Sequence, residues 1–308
     1  MAGAGRAAAA PPRARAPAGA PFDRSRLSYA TTFDDPWRAG AIRGIEWATG
    51  KARLLRLVRR FEAEGIPHGH AFWERALDVM GIDVLTPARE VERIPATGPV
   101  VVVANHPHGL VDGMVMAELV GRVRTDYRVL TRSLLTGIDQ VSRFLIPVPF
   151  PHEADALQTS LAMRRAAMEH LEAGGCVALF PSGAVASSDT LWGPAVEREW
   201  SPFTAKLIAR SGATVVPMRF TGANGRAYQI AGRLSATLRQ GLLIREVARA
   251  AGRPQRPVVG HAIAPEILAP RAANPRAMMA WLRETTLALG RAPRPETPQR
   301  VGTGASPR

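Results

Sequence analysis

Apolar positions fall into two patterns along the chain. Between residues 23 and 93 they recur at helical spacing. The segments Pro36–Trp47, Lys51–Glu64 and Ala71–Met80 each read as a helix, with glycine and proline between them. In the second, Leu54, Leu55, Leu57, Val58 and Phe61 form a stripe flanked by Arg53, Arg56, Arg59 and Arg60. Such a helix either packs its stripe on a core or lies on an anionic lipid surface, and at the rim of a domain it could do both.

From Ile94 onward short apolar runs alternate with helical stretches. The run PVVVVA at Pro99–Ala104 is β-branched and of buried-strand length, and a helix is expected from about Asp112 to Arg122. Further strands are expected at Tyr127–Leu130, Phe144–Val148, Cys176–Phe180, Thr214–Phe220 and Pro257–Ile263. Helices are expected at Ala154–Ala173, Phe203–Arg210 and Pro275–Leu289. This alternation predicts an α/β fold, a mostly parallel central sheet flanked by helices, with an N-terminal helical segment. No internal repeat is visible. Pro217 falls inside one predicted strand, which marks an edge, a bulge or a strand end there.

Composition sets the outer limits. Residues 1–22 and 291–308 are rich in Ala, Pro, Gly and Arg without apolar periodicity, so both are expected to be disordered tails. Residues 23–93 then form a helical, possible membrane-associating segment and residues 94–290 the main domain. The first tail lacks the continuous apolar run of a secretory signal, while its acid-poor, Arg-bearing character leaves a transit peptide open. No stretch approaches 18 uncharged apolar residues, so any membrane contact is expected to be peripheral. The net charge of +14, carried almost entirely by arginine, calls for an anionic partner or reflects a GC-rich genome. A single cysteine, Cys176, excludes an internal disulfide and sits in an apolar run that reads as a buried strand, hence a structural thiol.

Candidate chemistry concentrates after the first predicted strand, in ANHPHGLVDG at Ala104–Gly113. A loop beyond the carboxyl end of a strand is where an α/β sheet presents ligands. A carboxylate there can hold one nitrogen of His106 protonated and leave the other to accept a proton from a hydroxyl or amine, with Asp112 as the orienting group. The plainer reading is a turn whose histidine caps a backbone group. His108 is read as a turn residue. LFPSGAV at Leu179–Val185 also follows an apolar strand and opens a Pro/Gly turn suited to holding a phosphate or an oxyanion. Ser182 is not in a nucleophile elbow, because Phe180 occupies the first glycine position. Trp192 and Trp200 serve either as interfacial anchors or in packing. Arg219, Arg226 and Arg233 either meet phosphate or lie on solvated surface.

The order NH…D, then FP-x-G, then VVP resembles the glycerolipid (lysophosphatidate-type) acyltransferase superfamily, in particular its hemolysin-like and ornithine-lipid-type lysolipid acyltransferases. The likeness runs over about residues 60–265, through RIPATGPVVVVANHPHGLVDG, IPVPF, Trp200 with Phe203 and Lys206, VVPMRFTGANGRAY and LRQGLLIREV before VVGHAI. The resemblance implies a membrane-surface enzyme at the cytoplasmic face. His106 would be the general base and Asp112 its orienting partner. Asn105, Phe180, Pro181, Ser182, Gly183 and Pro217 would bind or shape the site for acceptor and donor. It implies no cofactor and no metal: the donor is an acyl-CoA or acyl-carrier-protein thioester and the acceptor a lysolipid or glycerolipid. Three departures stand out. Five residues separate His106 from Asp112 where four is the commonest spacing, so the loop must absorb one more residue. Ser182 stands where FPEG has its acid, followed by Ala184 and Val185, and FLIPVPF lacks the arginine of the corresponding family segment. These losses point away from a phosphomonoester acceptor.

Two other classes remain. A metal-dependent hydrolase could use His106, His108 and Asp112, but His68, His70, His152, His170 and His261 show no ligand-like pattern to complete a site. A catalytically inactive lipid-binding protein on the membrane surface would also suit the charge. No aromatic-basic motif supports a nucleic-acid partner.

Overall fold

The computed structural model describes residues 28, 30, 35–132, 138–149 and 156–291. The first predicted tail and residues 292–308 of the second lie outside these residues. The elements, in chain order, are helices α1 (Pro36–Thr49), α2 (Lys51–Ala63), α3 (Ala71–Val79) and α4 (Ala88–Val91), strand β1 (Val100–Ala104), α5 (Leu110–Gly121), β2 (Tyr127–Arg132), β3 (Leu145–Val148), α6 (Ala156–Glu172), β4 (Cys176–Leu179), the short strands β5 (Ser187–Ser188) and β6 (Ala195–Val196), α7 (Pro202–Ser211), β7 (Thr214–Arg219), α8 (Arg226–Leu234), α9 (Ala236–Gly241), α10 (Leu243–Ala250), β8 (Val258–Val259), α11 (Pro265–Leu268) and α12 (Pro275–Ala288).

The central sheet has six strands in the order β3-β2-β4-β1-β7-β8. Every neighbouring pair is parallel except β7 with β8, so the sheet is mostly parallel with one antiparallel edge. β1 lies inside it, between β4 and β7, and all five of its residues are buried. A strand covered on both faces has no solvent side to alternate with, which is why it reads as an unbroken apolar run. Its side chains divide between two layers. Val100, Val102 and Ala104 join a core with Ile42, Leu54, Trp73, Leu77 and the apolar residues of α5; Val101 and Val103 join another with Met163, Leu207, Ile208 and Leu282. α5 is apolar nearly all round and buried nearly all round, as a helix between sheet and outer helices must be.

The stripe of α2 packs inward. Leu54 is buried and Leu57 and Phe61 lie against the same core, while Arg53, Arg56, Arg59 and Arg60 point outward. Leu54, Leu57 and Phe61 of the stripe thus take the packing use. No helix among the described residues is long and apolar enough to cross a membrane.

Two stretches differ from the sequence-based expectation. The strand predicted over Pro257–Ile263 is only Val258–Val259, followed by a break and a single bridge between Val215 and Ile263. That break accommodates Pro217, which pairs with Val103 of β1 and has no N–H to offer the other side; its carbonyl accepts from the Gly260 N–H at 2.8 Å. The region 226–250, for which no element was predicted, forms three short helices. Ser235 ends one and caps the next, its hydroxyl accepting from the Leu238 N–H, so the apolar period is interrupted before it becomes legible.

At the amino ends of three adjacent strands, Arg124 acts as a clamp. Its buried guanidinium donates to the carbonyls of Pro95 and Gly98 at 3.0 Å and of Gly174 at 2.9 Å, and forks onto Asp126 at 2.8 and 2.7 Å. These groups lead into β1, β4 and β2 respectively, with Asp126 immediately before β2. A planar fork with five donors can bind so many acceptors at once; an ammonium cannot.

Candidate active site

The loop from Asn105 to Gly109 leaves the carboxyl end of β1 and turns into α5. Asn105 fixes its start: the side-chain amide donates to the Phe220 carbonyl at 2.9 Å, and its oxygen accepts from the Phe220 N–H at 2.8 Å. The loop is thereby tied to the segment just beyond β7. At its end Gly109 adopts φ 86°, ψ −127°, a conformation that disfavours any side chain.

Asp112 is the third residue of α5 and fully buried. Its Oδ2 accepts from the N–H groups of His108 (2.8 Å) and Gly109 (3.0 Å), so the carboxylate caps its own helix. The same oxygen lies 3.0 Å from His106 Nδ1, and Oδ1 lies 2.9 Å from His108 Nδ1. One carboxylate therefore holds two imidazoles. Burial pushes its pKa up, but the hydrogen bonds and charges of the two histidines outweigh burial and hold it at about 2. An ionised carboxylate only accepts, so both Nδ1 atoms carry hydrogens.

His106 is fixed from three further directions. Its ring stacks on Phe180, centroids 3.9 Å apart and planes 20° from parallel. Its backbone N–H donates to Glu197 Oε2 at 3.0 Å, and its carbonyl accepts from the Ala186 N–H at 2.8 Å. Glu197 is buried and takes a second bond from the Trp200 indole at 3.0 Å. Among the groups described, the imidazole edge that stays uncommitted is Nε2.

A family model described as Acyltransferase matches residues 69–247, more than half of the chain. The chain belongs to the acyltransferase family. Among solved structures, the 1-acyl-sn-glycerophosphate (LPA) acyltransferase PlsC from Thermotoga maritima matches with a TM-score of 0.41 and 16% identity, over 85% of this chain and 87% of that one. No curated protein matches the sequence.

In this acyltransferase the other sequence-predicted residues divide into two groups. Phe180 reaches the dyad directly. Pro181, Ser182 and Gly183 form the turn beyond it. The Ser182 hydroxyl donates to the Ala184 carbonyl at 2.9 Å, Gly183 turns at φ 62°, and the Pro181 carbonyl accepts from the Ser201 N–H at 2.9 Å. Pro217 is not brought to the dyad. It is buried in β7 in register with Val103, on the layer opposite α5, and its ring faces Gly260 and the end of α12. Trp200 is buried and packs, whereas Trp192, at the tip between β5 and β6, is 75% exposed. Arg219 is tied to the Leu289 carbonyl and Arg226 donates to the Gly193 carbonyl at 2.7 Å. Cys176 is buried and its thiol is pushed up to about 12, consistent with a structural role. Among the described residues no group of three or more His, Cys, Asp or Glu is arranged to hold a metal ion.

Sequence reasoning missed Glu197 and the second imidazole. Glu197 stands 91 positions after the backbone group it binds, in the charged string VEREW, which carries no signal of burial. His108 had a local signal: it precedes Asp112 by four positions, within reach of a side chain in the first turn of the helix.

Proposed function

We propose that this enzyme transfers a fatty acyl group from a CoA or acyl-carrier-protein thioester to the hydroxyl of a lysolipid or glycerolipid, at a membrane surface. The observation that carries the reading is the His106 Nδ1 contact with ionised, fully buried Asp112, set beyond the carboxyl end of a central parallel strand. In the proposed step, Nε2 of His106 removes the acceptor's hydroxyl proton as the oxygen attacks the thioester carbonyl. The tetrahedral intermediate collapses with cleavage of the C–S bond, and the imidazolium returns its proton to the leaving thiolate. Asp112 holds the ring in the Nδ1–H form and stabilises the imidazolium. Phe180, stacked on the ring, favours the same cation through its π face.

What surrounds the dyad supports a choice of acceptor. A phosphomonoester dianion needs charge-assisted donors, best supplied by an arginine fork. Beside Phe180 the turn offers Ser182, whose hydroxyl donates to Ala184, and Arg219 and Arg226 donate to backbone carbonyls elsewhere. A lysolipid with another headgroup, such as a lyso-ornithine lipid or a diester lysophospholipid, is the expected acceptor. Assayed with both acyl-CoA and acyl-carrier protein, a panel of lysolipids with glycerol-3-phosphate and lysophosphatidate should show the diester or ornithine class turned over fastest. Preference for lysophosphatidate would overturn this choice of acceptor.

Supporting the membrane site are the exposed arginines of α2 and the outer face of α1, where Trp37, Gly40, Ala41, Gly44 and Trp47 recur at helical spacing and Trp37 and Trp47 are 87% and 58% exposed. Tryptophans of this kind favour the headgroup region, and each nearby basic residue adds about 1 kcal/mol on anionic lipid. Changing Arg56 and Arg59 to Glu should therefore weaken co-sedimentation with anionic vesicles by about 30-fold or more. Added salt should weaken it too. Binding indifferent to lipid charge and to salt would rule this surface out.

A further inference from the structure

The second imidazole is not explained by the proposed transfer step, which needs one base and one carboxylate. His108 nevertheless is built into the centre as firmly as His106. Its backbone N–H and its Nδ1 bind different oxygens of Asp112, at 2.8 and 2.9 Å. The far side of its ring rests against Gly222, where a methyl group in place of hydrogen would sit 3.0 Å from Nε2; Gly222 has φ 94°. The loop and the ring thus fit each other only with glycine at that position. Beyond lies Glu246 of α10, buried, accepting from the Gly225 N–H at 2.8 Å and flanked by Arg249 at 3.3 Å and Arg245 at 3.9 Å. Asp112 from α5 and Glu246 from α10 are the anionic groups acting on the ring, with the two arginines behind Glu246.

We propose that His108 is a positioning residue for acyl transfer: it holds Oδ1 so that Oδ2 faces His106, and its protonation weakens Asp112's hold on the His106 imidazolium. The inference rests on the reading of His106 and Asp112 as base and orienter. Two rings that share one carboxylate cannot titrate independently. A proton on His108 places a positive charge on the far side of Asp112, and each ring's protonation opposes the other's. Burial disfavours that proton, but the Asp112 hydrogen bond and the charges of Asp112 and Glu246 outweigh burial and shift the ring's pKa upward. The sign follows. At low pH His108 is charged and Asp112 supports the His106 imidazolium less. As pH rises through the raised His108 value, the proton leaves, the Nδ1–H bond to Oδ1 remains, and His106 regains the full support of the carboxylate.

Two substitutions separate the hydrogen bond from the charge. In His108→Asn the amide nitrogen stands in for Nδ1 and cannot titrate; in His108→Leu both are gone. The Leu variant should lose about 10- to 100-fold in kcat with KM for either substrate little changed, the rate equivalent of one charge-assisted hydrogen bond. The Asn variant should recover most of that loss at alkaline pH, and its acidic limb should contain one ionisation where the native enzyme shows two. Independently of turnover, the His108 ring followed by NMR should titrate above the ordinary imidazole range in the native protein. Circular dichroism and melting temperature confirm that each variant is folded. If His106→Ala is inactive but the His108→Asn pH profile superimposes on the native one, the positioning role is wrong and the dyad stands. If folded His106→Ala keeps native turnover, the dyad itself is wrong.

Discussion

Replacing His106 with alanine is expected to lower acyl transfer by roughly 10²- to 10⁴-fold, the contribution of a general base, while the protein stays folded. The ring's loss removes the stack on Phe180 and one bond to Asp112, but the loop keeps its main-chain anchors: Asn105 on Phe220, the His106 N–H on Glu197 and the His106 carbonyl on Ala186. Asp112→Asn should be at least as damaging. An amide keeps the shape but loses the charge that stabilises the imidazolium, and it can present its NH2 where an imidazole N–H must be accepted, a change that costs up to about 10⁴-fold in a serine-type triad. Because Asp112 also caps α5, the Asn variant should melt earlier than His106→Ala. Steady-state turnover with the best acceptor of the panel, read beside melting curves, checks both. Native-like turnover in folded His106→Ala would refute the base assignment.

The largest effect on stability is expected at Arg124. Its removal leaves the partly exposed carbonyls of Pro95, Gly98 and Gly174 without their shared donor and leaves Asp126 without its fork. Asp126 is half exposed and the carbonyls are partly so, and water takes up part of the loss, which leaves a cost of about 1–3 kcal/mol. For a chain of this length that corresponds to roughly 2–12 °C in melting temperature. Arg124→Lys should recover little of the loss, since an ammonium cannot span three carbonyls and a carboxylate. The clamp sits at the amino ends of β1, β4 and β2, whereas the His106 loop leaves the carboxyl end of β1. Turnover below the melting transition should therefore change by no more than a few-fold. A shift of under 2 °C in Arg124→Ala would show that water replaces the guanidinium without cost.

What could be read from sequence follows from how local each signal is. The run Val100–Ala104 announces β1 because burial on both faces removes every polar position. The polar residues that follow this run and the turn glycine Gly109 then place His106 and Asp112 without any long-range information. Phe180 was legible for the same reason, as the residue ending an apolar strand. Glu197 was not, since an acid is ordinarily exposed and only the fold shows that this one lies under the loop, bonded to His106 and Trp200. Pro217 illustrates a third case. Its effect on the outer ladder was foreseeable from the missing N–H, but which face of β7 it occupies depends on register with β1, and that register puts it away from the dyad. The stripe on α2 shows the limit of periodicity itself, which identifies an amphipathic helix without saying what covers it.

The way the His106 loop is tied down bears on how the enzyme comes into being on the ribosome. Asn105 is bonded to residue 220, His106 to residues 186 and 197, and the His108 ring rests on residue 222. The loop is made early in synthesis, but every one of these partners emerges some 80 or more residues later. At 5–20 residues per second the nascent chain carries an unanchored HPHG turn for roughly 4–20 s. Even a complete β1–α5 unit, folded ahead of the rest, would hold its two imidazoles on Asp112 with the main chain of His106 unsupported. Competence for catalysis is thus deferred until the C-terminal third has been made and packed, so a fragment ending before residue 186 should be inert however well its helices form.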